Sequence, residues 1–182
     1  MKIFSSLFFS LLFVNAFSQI NRKDFTQFVN PFIGTASKDT NSLSGSVFPG
    51  ACMPFGMVQL SPDNYDAPED PASAYNYKEK TIVGFSHTHL NGTGVGDLYD
   101  VLVQPIAGTV LWQPGDAAKP RSGYRSVFSH TTEKASPGYY AVQLDDYNIK
   151  VELTATAHIG FHKYYFPKTD SAYVLFDLDH TL

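Results

Sequence analysis

Between Ile149 and Ala157 the sequence IKVELTATA alternates without a break: Ile149, Val151, Leu153, Ala155 and Ala157 on one side, Lys150, Glu152, Thr154 and Thr156 on the other. A period of two is the signature of a strand with one face buried, and it is incompatible with an amphipathic helix, whose apolar positions recur at 3.6. Just upstream, Tyr140, Val142 and Leu144 alternate with Ala141 and Gln143, and Asp145–Asn148 has turn composition. The two runs therefore predict a hairpin. Further strands are expected at Met57–Leu60, Ile82–Phe85, Tyr99–Gln104, Arg125–Ser129, Ile159–Phe166 and Tyr173–Asp177, separated by Gly, Pro, Asp and Asn clusters such as Pro62–Pro71 and Gln113–Gly123. No long amphipathic helix stands out. Many short strands with closely spaced turns predict an all-β fold, an antiparallel β-sandwich.

The N-terminus sets the compartment. Lys2 precedes an apolar run, Ile3 to Phe17, interrupted only by serines and Asn15, and small residues lead into a polar stretch near Gln19. This is the pattern of a secretory signal peptide. The run falls short of the roughly 20 residues that a membrane-spanning helix needs. Cleavage after Ser18 would leave residues 19–182 as one domain, exported to the periplasm, cell surface or medium, with no membrane span once the leader is removed. Cys52 is the only cysteine, so no internal disulfide can form, and the fold must rest on its core. Thirteen basic residues against seventeen acidic ones, without blocks of like charge, give no electrostatic basis for binding nucleic acid or an anionic membrane. The chain ends at Asp177–Leu182 directly after an apolar strand. That ending leads to the expectation of an incomplete sandwich with an uncovered strand edge or sheet face.

Two glycine-rich segments carry the functional signal. The first holds Asn30-Pro31-Phe32-Ile33-Gly34-Thr35, Val47-Phe48-Pro49-Gly50-Ala51 and Pro54-Phe55-Gly56-Met57, a density of Gly and Pro that fixes irregular, close-turning backbone. The second, Gly84 to Asp100, reads GFSHTHLNGTGVGDLYD. On an extended strand His87 and His89 would project from the same face. Gly92, Gly94 and Gly96 would let Asp97 and Asp100 fold back toward them. Residue chemistry alone leaves several readings open: a zinc site built on His-x-His and carboxylates, a loop whose histidines and aspartates satisfy one another, or directional partners for sugar hydroxyls. Phosphate binding is disfavoured, because no lysine follows the glycines where one is needed and no helix opens there.

Taken in order, VNPFIGT, FPGACMPFGMVQLSPD, GFSHTHLNGTGVGDLYDVLVQP and YAVQLDDYNIKVELTATAHIGFHKYYFP closely resemble the N-terminal domain of glycoside hydrolase family 92, calcium-dependent exo-acting α-mannosidases. The resemblance runs from about Phe25 to the end of the chain. It implies a β-sandwich packed against a C-terminal (α/α) helical barrel absent from these residues. The implied reaction removes terminal α-linked mannose, commonly α-1,2-linked, from glycans with inversion. Inversion requires a carboxylic acid and a second carboxylate about 6.5–9.5 Å apart. The resemblance places both in the helical domain, so no catalytic residue is assigned here, and it implies calcium without identifying its ligands, which are expected outside this chain. The matching motifs would supply the sandwich side of a sugar pocket: His87, His89, Asn91, Thr93, Asp97 and Asp100 toward substrate, with Pro49, Gly50, Gly92, Gly94 and Gly96 shaping the loops. The family often carries a larger residue or a cysteine where Val95 stands. A stand-alone sugar-binding sandwich without catalysis is the alternative.

Overall fold

The structure, a computed structural model, describes residues 23–36, 46–64, 73–92, 97–119 and 121–180. The expected leader, residues 1–18, lies outside the described residues. So do Thr93, Gly94 and Gly96. The described residues contain one short 3-10 turn, Thr26–Phe28, and otherwise strands and loops. No helix among them is long and apolar enough to cross a membrane.

The predicted hairpin is the centre of one sheet. Its strands are β8 (Tyr139–Leu144) and β9 (Ile149–Ala155), joined through Asp145–Asn148 and flanked by β7 (Lys134–Ser136) and β10 (Gly160–Tyr165), giving the order β10-β9-β8-β7, antiparallel throughout. The alternation does what it predicts: Ile149, Val151 and Leu153 are buried together with Tyr140, Val142 and Leu144. Opposite lies a five-stranded sheet of order β1-β2-β4-β5-β11, made of Ala51–Cys52, Gln59–Asp63, Gly84–Ser86, Leu102–Ala107 and Ala172–Asp177. Ala51, Leu60 and Phe85 of this sheet join the hairpin's apolar row in one core, so the two sheets form the layers of a sandwich. A small ladder, β3 (Thr81–Ile82) with β6 (Ser126–Val127), closes one side, and Val83, Leu102, Ile106 and Tyr124 make a second core.

Several strand boundaries differ from the sequence reading. Tyr99–Gln104 is not a strand as a whole: Leu98, Tyr99 and Val101 have φ of 80°, 64° and 57°. Left-handed backbone cannot continue a ladder, so β5 begins at Leu102. Ile82–Phe85 splits at Val83 because Ile82 pairs with Ser126 while Gly84 pairs with Asp63, in different sheets. The strand expected at Met57–Leu60 lies at Gln59–Asp63, and Arg125–Ser129 contracts to Ser126–Val127. β11 lies at the edge of its sheet, paired on one side with β5, and its Tyr173, Val174 and Phe176 are exposed.

Candidate functional site

Local constraints seat the first glycine-rich segment on β2 and against the second. Gly50 packs so closely on β2 that a Cβ there would sit 2.2 Å from the Leu60 carbonyl oxygen, so only glycine fits. Pro49 beside it is buried. Phe48 lies with its ring centroid 5.2 Å from that of His89. The Gly92 amide donates to the Ser46 carbonyl at 2.5 Å, and Gly92 takes φ +71° with open space around its Cβ position.

His87 and His89 fall just beyond the end of β4, and they part company rather than forming a shared ligand pair. His89 is 1% exposed. Its Nδ1 lies 2.6 Å from the Gln59 carbonyl, and its Nε2 lies 2.7 Å from Asp63 Oδ1 and 3.0 Å from the Ser86 hydroxyl. Each ring nitrogen thus faces an acceptor, the Gln59 carbonyl at Nδ1 and the Asp63 carboxylate at Nε2. The other Asp63 oxygen faces His180 Nε2 at 2.9 Å. Burial works to raise the Asp63 pKa, but attraction to His89 and hydrogen bonds from His180 and His89 outweigh it, leaving the group below its ordinary value. Tyr99, buried at left-handed φ, lies near both imidazoles.

His87 turns instead toward the other sheet. Its Nδ1 lies 2.9 Å from the Val101 carbonyl and its Nε2 lies 3.1 Å from His162 Nε2, while the Tyr164 hydroxyl stands 2.7 Å from His162 Nδ1. One proton arrangement satisfies every atom: Tyr164 donates to His162, His162 to His87, and His87 to Val101. Burial first, and the neighbouring His87 second, push His162 down to about 4. A chain of hydrogen bonds thus runs from β10 to the loop before β5. Gly160 admits it, since a Cβ there would lie 2.9 Å from the His87 ring.

The segment after the glycines does return to the histidines. His89 and Leu98 form an isolated antiparallel bridge, the Thr88 hydroxyl donates to Asp100 Oδ2 at 2.7 Å, and the Asp100 amide donates to the Thr88 oxygen. Asp97 accepts from the Leu98 amide at 2.8 Å. Asn91, Asp97 and Asp100 are exposed. Among the described residues, the two ends of segment 84–100 are thus tied together, with His89 buried at the root and the carboxylates of Asp97 and Asp100 exposed, an arrangement able to present acceptors to hydroxyl groups. Asp63, His162, Tyr164 and His180 were missed from sequence. The period-two face Gly160, His162, Tyr164 was the available signal for two of them; His180, far along the chain from Asp63, offered none.

Among the described residues no three His, Cys, Asp or Glu side chains group so as to hold a metal ion. Asp97 and Asp100 already serve the loop, and calcium takes six to eight oxygens. The described residues therefore do not build a calcium site, and His87 and His89 do not build a zinc site.

A family profile described as the glycosyl hydrolase family 92 N-terminal domain matches residues 28–182. An α-mannosidase of family GH92 from Bacteroides thetaiotaomicron, solved alone and in complex with mannoimidazole, is 45% identical with a TM-score of 0.81, covering 86% of this chain and 20% of its own. An inverting mannosidase of the same family and organism is 27% identical with a TM-score of 0.66, covering 84% and 19%. An uncharacterized secreted glycosidase of Arthroderma benhamiae is 28% identical over 155 residues, 81% of this chain and 18% of that protein. The chain thus spans about a fifth of the length of these relatives.

Proposed function

Because the chain belongs to the glycosyl hydrolase family 92 N-terminal domain family, we propose that it forms the sandwich side of the sugar pocket of an exported α-mannosidase. That enzyme removes terminal α-linked mannose, commonly α-1,2-linked, with inversion, and its catalytic acid and base lie outside these 182 residues. The observation that carries the reading is the 45% identity, at a TM-score of 0.81, to a mannosidase seen with mannoimidazole. The anchored loop supports it. His89 and Asp63 fix the root of segment 84–100, so Asn91, Asp97 and Asp100 can bind hydroxyls without paying much ordering entropy on binding. Export is supported by the leader pattern of residues 1–18 and by a relative described as secreted. Calcium belongs to the proposal only as a family-implied group held by residues beyond this chain.

The test expresses the chain from Gln19 alone and joined to the coding sequence that follows it, and assays mannose release from α-1,2-mannobiose with calcium or with chelator. Release by the longer form alone, lost on chelation and yielding the β-anomer first, is the expected result. Release by the short form, the chain from Gln19 alone, would overturn the placement of the acid and base. No release by a folded longer form would overturn the mannosidase reading.

A further inference from the structure

The outward face of the β7–β10 sheet is not built like an ordinary solvated face. Its registered cross-strand partners form three rows. One row runs Ser136, Tyr139, Thr154, Phe161; the next runs Lys134, Ala141, Glu152, Lys163; and the third runs Gln143, Lys150, Tyr165. Aromatic rings thus flank a row of charge. Phe161 and Tyr165 remain 49% and 42% exposed, on the side of the sheet away from the core.

The two tyrosine rings are held in place. Glu152 accepts from the Tyr139 and Tyr165 hydroxyls at 3.0 Å each and from Lys150 Nζ at 2.6 Å. Lys163 Nζ sits 4.6 Å from the Tyr165 ring centroid. A single carboxylate therefore organises two tyrosines and a lysine before anything binds, which lowers the entropic cost of binding. Its charge is also outnumbered: three ammonium groups, Lys134, Lys150 and Lys163, share the face with one carboxylate, on a chain whose formal net charge is −4.

We infer that this face is a second glycan-binding surface, distinct from the loop of segment 84–100, and that it takes a sugar chain bearing anionic groups. Rings exposed on a sheet offer flat apolar area to the C–H faces of sugars. Glu152 and the tyrosine hydroxyls offer directional partners to hydroxyl groups, and Lys134 and Lys163, at opposite ends of their row, offer the cations that set the ligand's charge. Only the choice of a mannose polymer as probe rests on the mannosidase reading.

Affinity electrophoresis of the full 182-residue chain through gels containing phosphomannan, the same mannan stripped of phosphate, phosphorylated dextran, or inorganic polyphosphate tests the inference. Retardation by phosphomannan at least tenfold stronger than by stripped mannan, with none by polyphosphate, is expected. Tyr165→Ala and Lys163→Glu, both at exposed positions, should each reduce it at least tenfold while circular dichroism stays unchanged. Equal retardation by stripped mannan, equal retardation by polyphosphate, or insensitivity to both substitutions in folded protein overturns the surface. Phosphorylated dextran binding as well as phosphomannan, with the same sensitivity to substitution, upholds the surface and counts against the mannose reading instead.

Discussion

Asp63 Oδ1 and His89 Nε2 meet at 2.7 Å inside the protein, where both side chains are almost wholly removed from water. The pair ties β2 to the loop that follows β4, and it does so with a charge that cannot be left alone. Removing one partner of a buried pair costs about 3–5 kcal/mol because the survivor stays desolvated. Asp63→Ala should therefore lower stability by about 3 kcal/mol or more, read from urea unfolding at pH 7. The pH dependence follows from the depressed pKa of Asp63. A carboxylate lowered on folding adds stability that is complete above its unfolded value, near 3.8, and lost as the pH falls through the folded one. Wild-type protein should lose stability below about pH 4 more steeply than Asp63→Asn, whose side chain does not titrate. Parallel profiles would show that the carboxylate is not the group concerned.

His162 gives a second, higher window. Its folded pKa, pushed down to about 4 from 6.5 by burial and then by His87, means that the unfolded chain binds the proton first as the pH falls. Its contribution is complete above pH 6.5 and erodes between 6.5 and about 4. His162→Gln keeps a donor and an acceptor between His87 and Tyr164 but cannot titrate, so the difference in stability between variant and wild type should shift across that window. A His162 imidazole resonance with a midpoint near 6.5 in the folded protein would sink the prediction.

Gly50 tests close approach. A methyl group there would stand 2.2 Å from the Leu60 oxygen and 2.5 Å from Ser61 Cβ, and neither the strand backbone nor a Cβ can swing aside. Gly50→Ala should cost at least about 2 kcal/mol, at the upper end of overpacking penalties. The control is Gly108→Ala, at φ +99° with nothing within 4 Å of its Cβ position, where only backbone strain of about 1 kcal/mol is added. A smaller loss at Gly50 than at Gly108 would contradict the contact.

What the sequence made legible follows from how local each signal is. The β8–β9 hairpin could be read because alternation and turn composition both lie within eighteen residues, Tyr140 to Ala157. The start of β5 could not, since three non-glycine residues, Leu98, Tyr99 and Val101, adopt positive φ and nothing in their side chains announces it; tertiary contacts impose it. His87 and His89 were visible as a pair, but their separation depends on Asp63 and His162, which reach them from different sheets. A shared face is what extended backbone predicts, and β4 ends at Ser86, before either histidine, so that geometry does not apply.

Phe55 raises the last question, because its backbone is strained while its side chain is buried against none of the described residues. It stands at φ 60° with its side chain fully in solvent, on a loop fastened to the β9–β10 turn by the Met57 amide to the Ala157 carbonyl at 2.8 Å. Left-handed backbone costs a phenylalanine about 1–2 kcal/mol, and an exposed ring returns nothing by burial. Asparagine tolerates this conformation, so Phe55→Asn should stabilise the 182-residue chain by about 1 kcal/mol, measured as a shift in the urea midpoint. Strain of this kind persists where surrounding structure or function requires it, and Met53, Met57 and Ile159 nearby are exposed as well. In the longer enzyme proposed above, the same substitution should therefore lower mannose release at least tenfold despite the gain in the isolated chain. A loss of stability in the short form would refute the strain. Unchanged release in the long form would show that the ring meets nothing the reaction needs.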